Sequence, residues 1–444
     1  MGRPPVAVRP GHSGRRAGRP ALAALGSRPL RLYLFGQLPS VTCSWAQVVA
    51  LSWLVVERNP RALGVVVALQ FLPSLVLGPW FGAVADRYDR RRLLMVAEAG
   101  LGLVALTYAL VSALDRLVLP WICLLATVWG VVNALDTPAR RALVPMLVPA
   151  EQAASASALT GTVMLVGMTA GSALGALLVS TVGVTGAFAA NSASFLADLA
   201  ILGTIRVGAS PRVKRAPRQV RDGLAYVWRM PALRGALLTL AVVATLAFTV
   251  QVSVPTLVRT SFGGGPSVVG TALAAVTGGC LAGTLAVAAR GTPGPLHHAT
   301  LLMATTTAVT AVAPNLPVAF AGLAGVGFAW SFLLMSVIGT IQTADPAMMG
   351  RVMSLLAVVL LGGNAAGSPI AAVTALLAGP HAPFVLGSVA TGSAALFAAH
   401  RRPRPFTPAG PDRRRPTRHR CRSSAAAAPD ATARAHRPIH ARRE

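Results

Sequence analysis

Long apolar runs alternate with short charged breaks along most of the chain. A run of about 20 apolar residues is the length that a helix needs to cross the ~30 Å hydrocarbon layer of a membrane. On this criterion the pattern predicts twelve helices, numbered here as spans 1 to 12. They cover residues 31–56, 62–85, 93–114, 117–136, 152–180, 184–205, 233–258, 267–288, 297–313, 316–342, 352–378 and 381–400.

Composition supports an all-α polytopic membrane protein. Hydrophobic residues make up 54% of the 444 positions and charged residues only 12%, which is more apolar surface than one or two soluble domains bury. The formal net charge of +27 would suit a nucleic-acid-binding protein. The positions of the basic residues argue against that class, because they lie in alternate breaks between spans.

The basic residues predict the orientation of the chain. Of 40 Lys and Arg residues, four lie on one side of the predicted membrane, which leaves 36 for the other. Cationic loops stay on the cytoplasmic side during insertion, so we expect both termini in the cytoplasm and the protein in the inner (plasma) membrane. The four exceptions are Arg58, Arg61, Arg116 and Arg259.

The charged segments also divide the chain. Residues 1–30 and 401–444 are predicted to be disordered basic tails near anionic lipid headgroups, with binding to a specific partner as the alternative. Residues 31–205 and 233–400 are predicted to form two six-helix bundles. Residues 206–232 are predicted to be a cytoplasmic linker with an amphipathic segment.

The charged turn between spans 2 and 3 carries a recognisable motif. Gly82, Asp86, Arg87, Arg90 and Arg91 resemble the signature of the major facilitator superfamily, which reads Gly, three apolar residues, Asp-Arg, any residue, Gly, Arg, Arg. This resemblance implies a monomeric secondary transporter with two pseudo-symmetric six-helix bundles. Position 89 departs from the signature, because Asp replaces the glycine and its backbone freedom.

Three further stretches, residues 136–145, 221–234 and 350–354, resemble the enterobactin-exporter and macrolide-efflux branch. The resemblance implies proton-driven export of a bulky amphipathic small molecule. Ser172 stands where the antiporter signature Gly-Pro-x-x-Gly has proline. An importer or uniporter of a small solute therefore stays open, and a membrane-embedded enzyme or receptor scaffold is a third alternative.

No motif indicates catalysis. The sequence has no Gly-x-x-x-x-Gly-Lys-Ser/Thr phosphate-binding loop, and its four cysteines suggest neither a disulfide framework nor a metal cluster. We therefore predict no enzyme activity, cofactor or metal. The expected partners are a small-molecule substrate, protons and lipids, with no nucleic acid.

The resemblance also implies a gate at the turn. In the family the matching aspartate, here Asp86, belongs to a latch that stabilises the outward-facing state. A carboxylate there can accept hydrogen bonds from a neighbouring helix N-terminus. Asp136 is our hypothesised partner for Arg90, and Arg140 follows one turn later.

Pairs of small residues spaced four apart recur in spans 2, 5, 8 and 11. Such pairs let helix backbones approach closely in lipid. In the resembled family these spans form the interface between the bundles, and the alternative is ordinary helix packing. The pairs are Gly78 and Gly82, Gly171 and Gly175, Gly279 and Gly283, and Gly363 and Gly367.

Polar residues within the spans are candidates for coupling and for substrate contact. Glu98 and Asp198 are predicted proton carriers, because an ionisable group in hydrocarbon is costly; local salt bridges are the alternative. Predicted cavity residues lie in spans 1, 4, 7 and 10, and the alternative is that they hold helices together. They are Gln47, Asn133, Gln251, Trp330 and Met335.

Overall fold

A computed structural model describes residues 23–205, 219–292 and 294–400. These residues fold into long helices joined by short connections. The helices are α1 (Arg28–Arg58), α2 (Leu63–Arg87), α3 (Arg90–Ala113), α4 (Leu119–Leu143), α5 (Ala153–Thr204), α6 (Gln219–Arg229), α7 (Pro231–Val242), α8 (Val250–Phe262), α9 (Pro266–Arg290), α10 (Leu296–Ala311), α11 (Leu316–Ile341), α12 (Pro346–Ala378) and α13 (Ala382–His400).

The helix ends follow the polar breaks of the sequence. Ser27 caps α1 by accepting a hydrogen bond from the Leu30 N–H at 3.4 Å, and Asn315 caps α11 by accepting one from Val318 at 3.1 Å. Such side chains satisfy backbone donors that have no partner in the first turn. Most of the predicted spans therefore correspond to helices of the described residues, and the departures are spans 5, 6 and 7.

Within the described ranges, nine helical segments are long and apolar enough to cross a membrane. α10, with 16 residues, and the apolar part of α13 are shorter. The chain is thus a multi-pass membrane protein.

α5 is a single assigned helix with a sharp break. Gly183 has φ 73° and ψ −179°, a backbone conformation that only glycine adopts without strain. We call residues 153–182 the first arm of α5 and residues 184–204 its second arm. Spans 5 and 6 correspond to these two arms, so the predicted connection of several residues is reduced to one glycine.

The predicted helix over residues 233–258 is interrupted, which corrects the sequence analysis. A π-helical turn at Val243–Ala247 follows α7, and Phe248 and Thr249 leave helical geometry before α8 begins. Pro255 has no N–H for the carbonyl four residues earlier, which weakens the first turns of α8. Hydropathy does not reveal the break, because the residues around it are almost all apolar.

Helices pack mainly within the two halves of the chain, residues 23–205 (first half) and residues 219–400 (second half). In the first half α1 packs on α5, α2 on α4, and α3 on α4 and α5. In the second half α9 packs on α11, α10 on α11 and α13, and α12 on the π turn. Between the halves, α2 packs on α12, α5 on α9, and α1 on α8.

The two ends of these helices differ in charge. We call the end that carries Arg87, Arg140, Arg290 and Arg351 the arginine-rich end. The opposite end holds the connection between α1 and α2, the break at Gly183 and the connection between α8 and α9.

α6 lies in the predicted amphipathic segment and contacts α12. The oxygen of Tyr226 accepts a hydrogen bond from the Asp345 N–H at 3.1 Å, and Gly223 lies against Arg351. Leu224 and Trp228 are exposed, as expected for an amphipathic helix at the edge of a membrane. Residues 1–22 and 401–444 of the predicted tails, and residues 206–218 of the predicted linker, lie outside the described residues.

Candidate functional site

A buried charge cluster occupies the first half near the arginine-rich end. The Arg140 guanidinium on α4 donates to both Asp136 oxygens at 3.0 and 3.2 Å and forms an ion pair with Glu98 on α3. It also donates to the hydroxyl of Tyr33 on α1 at 3.3 Å. One arginine therefore links three helices.

A third carboxylate completes the cluster. Asp198, on the second arm of α5, lies directly against Gly36 of α1. It also lies opposite Glu98, because α3 and this arm are antiparallel and, one turn away, a Cβ on Gly102 would lie 3.1 Å from the Phe195 Cβ. A Cβ atom at position 36 would collide with an Asp198 oxygen, so glycine is needed there for close approach. Glu98 and Asp198 are both fully buried.

The cluster corrects one sequence hypothesis. Asp136 pairs with Arg140, four residues later on the same helix, and not with Arg90. Arg90 instead donates to the Ala142 carbonyl at 3.4 Å and to the Met146 sulfur at 3.1 Å. The reason is position, because Arg90 begins α3 at the helix end whereas Asp136 lies inside the bundle of helices.

The charged turn at residues 87–92 is held by helix-end contacts. Arg91 donates to the carbonyls of Leu202 and Gly203 at 2.8 and 2.5 Å, which are the last acceptors of α5. Asp89 has φ −62° and accepts the Arg92 N–H at 2.8 Å. Aspartate therefore replaces the signature glycine without strain and caps α3.

The gate assigned to this turn stays a prediction. Arg87 is exposed, Gly82 is half-buried, and Asp86 belongs to the last turn of α2. The side chain of Asp86 lies outside what the structure describes.

Six of the eight predicted glycines pack against a helix of their own half. Gly171 and Gly175 contact α1, Gly279 and Gly283 contact α11, and Gly363 and Gly367 contact the π turn and the residues that precede α8. These three pairs do not pack between the halves as the resemblance implied, because their own closest approaches lie within each half. Cβ atoms at Gly78 and Gly82 would meet no atom within 4 Å.

Two other glycines lie at close contacts between the halves, and neither was predicted from the sequence. A Cβ on Gly64 of α2 would lie 2.5 Å from the Ala372 Cβ and 2.7 Å from the Ser368 carbonyl oxygen on α12. The sequence did contain a signal for the partner side of these contacts. The dipeptide Gly367-Ser368 in the second half repeats Gly171-Ser172 in the first half.

The second contact is the counterpart of the first. A Cβ on Gly270 of α9 would lie 2.5 Å from the Ala176 Cβ and 2.8 Å from the Ser172 carbonyl oxygen on α5. In each Gly-Ser pair the glycine faces its own half, and the serine carbonyl faces a glycine of the other half. Ser172 thus lies at a contact between the halves, at the position where the antiporter signature has proline.

These contacts loosen toward the arginine-rich end. On α2, Gly64 is tightly packed against α12. Farther along α2, Leu75 lies 3.7 Å from the Cβ position of Gly362 on α12, and Gly78 and Gly82 then face open space. Along α5, the first arm shows the same change, from Ser172 through a 3.7 Å approach at Thr169 to open space at Gly161. These glycine positions are therefore tightly packed against the other half toward the opposite end and open toward the arginine-rich end.

The predicted cavity residues fall into two groups. Gln47 is buried and its side-chain oxygen accepts a hydrogen bond from the Asn191 amide at 2.9 Å, so it holds α1 to α5. Gln251 lies in the first turn of α8 beside the break, and its buried side-chain oxygen has no hydrogen-bond partner. Trp330 on α11 stacks on Phe248 with ring centroids 4.0 Å apart. Asn133 and Met335 are half-buried, on α4 and α11.

Gln47 offers a direct test of its structural role. We expect Gln47→Ala to leave the Asn191 amide without its acceptor and to lower stability by about 1 kcal/mol. The measurement is the midpoint of thermal unfolding in detergent. Gln342→Ala, at an exposed position that follows α11, is the matched control. Equal midpoints for the two variants would show that the hydrogen bond contributes little.

Comparison with known proteins places these features in a family. The model of the family described as "Transmembrane secretion effector" matches residues 20–408. The chain is 29% identical over 395 residues to the multidrug efflux pump Tap of Mycobacterium bovis (strain BCG / Pasteur 1173P2), which covers 83% of this chain and 93% of that protein. It is 34% identical over 107 residues to the staphyloferrin A transporter of Staphylococcus aureus (strain NCTC 8325 / PS 47), and this match covers 23% of the chain and only 27% of the relative.

Solved structures share the fold. A crystal structure of a bacterial homologue of the human lysosomal transporter Spinster, in an inward-facing and occupied conformation, superposes with a TM-score of 0.66 at 17% identity. The superposition covers 86% of this chain and 97% of that one.

Proposed function

Because the chain belongs to the transmembrane secretion effector family of the major facilitator superfamily, we propose that it is a proton-driven exporter of a bulky amphipathic small molecule. Its relatives include a multidrug efflux pump, and it has the helices of a multi-pass membrane protein. Transport proceeds by alternating access, in which two bundles expose a central site to each side of the membrane in turn.

The helix inventory supports twelve spans in two six-helix bundles. The nine apolar segments include one of 55 residues, Ala150–Thr204, which Gly183 divides into two crossings. α10 and α13 add two more, since short apolar helices cross a membrane when their ends lie in the headgroup region. The packing within each half supports the same division.

The contact gradient between the halves is the observation that carries the proposal. Packing at Gly64 and Gly270 closes one end, and open space at Gly78, Gly82 and Gly161 leaves the other end accessible. If one half rocks against the other about these contacts, the closed end opens and the open end closes. With the arginine-rich end in the cytoplasm, this structure corresponds to the inward-facing state.

The substrate site that we propose lies on the second half beside the break between α7 and α8. Gln251 presents an unpartnered side-chain oxygen, and the stacked rings of Phe248 and Trp330 supply an apolar platform. Interrupted helices mark substrate sites in many transporters. Asn133 and Met335 face this site from α4 and α11 in the proposal, whereas Gln47 serves packing.

Reconstituted protein tests the export. Proteoliposomes are loaded with ethidium, and then with other amphipathic dyes, and a proton gradient is imposed. Labelling of a Tyr88→Cys variant with a membrane-impermeant maleimide identifies the orientation of the protein. We expect dye to move from the arginine-rich side to the other side, and a protonophore to abolish the movement.

Three outcomes would contradict the proposal. Dye movement down its own gradient that is insensitive to the proton gradient would indicate a uniporter. Gradient-driven movement toward the arginine-rich side would indicate an importer. No movement of any dye in the panel would remove drug-like amphipathic compounds as the substrate class.

A further inference from the structure

Three carboxylates share a single arginine in the first half. Asp136 and Glu98 pair with Arg140, and Asp198 lies opposite Glu98, so the cluster would carry a net charge of −2 with every group ionised. The other polar groups that face it are the Tyr33 hydroxyl and, one turn farther along the same face of α1, the Gln37 amide. Within the described residues no second arginine or lysine pairs with these acids.

Arg140 donates hydrogen bonds to only two of the three acids. Its donors go to Asp136, to one oxygen of Glu98 and to Tyr33. Both oxygens of Asp198 and the second oxygen of Glu98 are buried without a hydrogen-bond donor. An ionised carboxylate without donors in such surroundings is very unfavourable.

A proton between the two acids removes this conflict. Glu98 and Asp198 lie opposite each other on antiparallel helices, one turn from the close approach of Gly102 to Phe195, yet two ionised carboxylates have no hydrogen to donate. If one of them is protonated, its O–H donates to the other and the cluster loses one negative charge.

We infer that the Glu98–Asp198 carboxyl pair is the proton-binding site of this protein. The inference rests on the proposed function for its role in coupling, and on the geometry alone for the bound proton. Asp136 and Arg140 connect the pair to solvent, because their side chains are 10% and 18% exposed whereas that of Glu98 is not exposed at all.

The pair also has the position that coupling requires. Its two acids lie on α3 and on the second arm of α5, and Arg140 joins them to α4 and α1. If the proton is lost, the two carboxylates repel each other between packed helices, and the preferred arrangement of these helices changes. The repulsion acts within the first half, and in this proposal it reaches the second half through α1 and α5, which contact α8 and α9.

Infrared spectroscopy of purified protein tests the bound proton without any need for a substrate. A protonated carboxyl has a C=O stretching band that differs from that of a carboxylate, and the band shifts in D₂O. We expect wild-type protein at neutral pH to show this band, and Asp198→Asn and Glu98→Gln each to lose it. Each amide imitates the shape of the protonated acid, so both variants are expected to fold.

Asp115→Asn is the matched control. Asp115 is exposed and has φ 53°, a conformation that asparagine tolerates, so the band should persist in this variant. A band that remains unchanged in both cluster variants would overturn the inference.

Transport separates the coupling role from the proposed function. With dye at equal concentration on both sides, counterflow needs no net proton movement, and we expect Asp198→Asn to retain it. Accumulation driven by a proton gradient should fall by about tenfold or more. Loss of the infrared band with unaltered gradient-driven transport would show a structural proton only. Absence of gradient-driven transport in the wild type would instead contradict the proposed function and leave the proton site in place.

Discussion

Arg140→Met is expected to be the most destabilising single substitution in the first half. The change removes the cation that pairs with Asp136 and Glu98 and leaves the buried acids without compensation. Breaking a buried ion pair from one side costs about 3–5 kcal/mol. The measurement is thermal unfolding in detergent, together with the yield of monodisperse protein.

The physical reason can be tested by rescue. If the loss comes from uncompensated charge, the double variant Arg140→Met with Glu98→Gln should recover part of the lost stability, because one carboxylate has been neutralised. If it came only from lost packing of the arginine side chain, the second substitution would give no recovery.

Arg141→Met is the matched control for Arg140→Met. Arg141 is the next residue on α4, and its side chain is exposed. A single surface arginine contributes little to stability, so this variant should unfold at nearly the wild-type temperature. Equal losses for the two variants would contradict the role assigned to the cluster.

The helices could be predicted from the sequence because apolar length alone determines them. Hydropathy does not report how the backbone is hydrogen-bonded. The π turn at Val243–Ala247 could therefore not be predicted, because it lies inside an unbroken apolar stretch. Gly183 is a different case, since a single glycine can turn the chain. The predicted spans on either side of it already ended near that position.

The parts of the candidate site could be predicted, but their partners could not. Glu98 and Asp198 were notable because acids are rare in apolar spans. Their convergence on Arg140 depends on how α1, α3, α4 and α5 pack, and residues 42 positions apart in sequence carry no mark of that contact. For the glycine pairs, close packing could be predicted but the packing partner could not, because small residues do not indicate which helix lies against them.

We expect Gly64→Leu to abolish most transport by preventing closure at the opposite end. Even a Cβ at this position would lie within 2.7 Å of the Ser368 carbonyl oxygen, so α2 and α12 must separate to accommodate a leucine. Forcing such contacts costs about 1–3 kcal/mol. A cost of that size is enough to move a two-state equilibrium by roughly a factor of 5 to 150.

The same substitution at a different depth of α2 should act in the reverse direction. At Gly82 an added Cβ meets no atom within 4 Å in this structure, but the substitution lies on the face of α2 that must close at the arginine-rich end. Gly64→Leu should therefore favour the state that is open at the opposite end, and Gly82→Leu the state described here. Both variants should lose transport for opposite reasons.

Spin-label distances distinguish these outcomes in a background without the four native cysteines. Labels at Leu114 and Val312, both exposed at the opposite end, should move apart in Gly64→Leu, whereas the wild-type distance should persist in Gly82→Leu. Gly235→Leu, at an exposed position on α7 where the side chain also meets nothing, controls for the effect of a leucine in a helix. An unchanged distance in Gly64→Leu would mean that the halves do not close on this glycine, and the alternating-access argument would lose its main support.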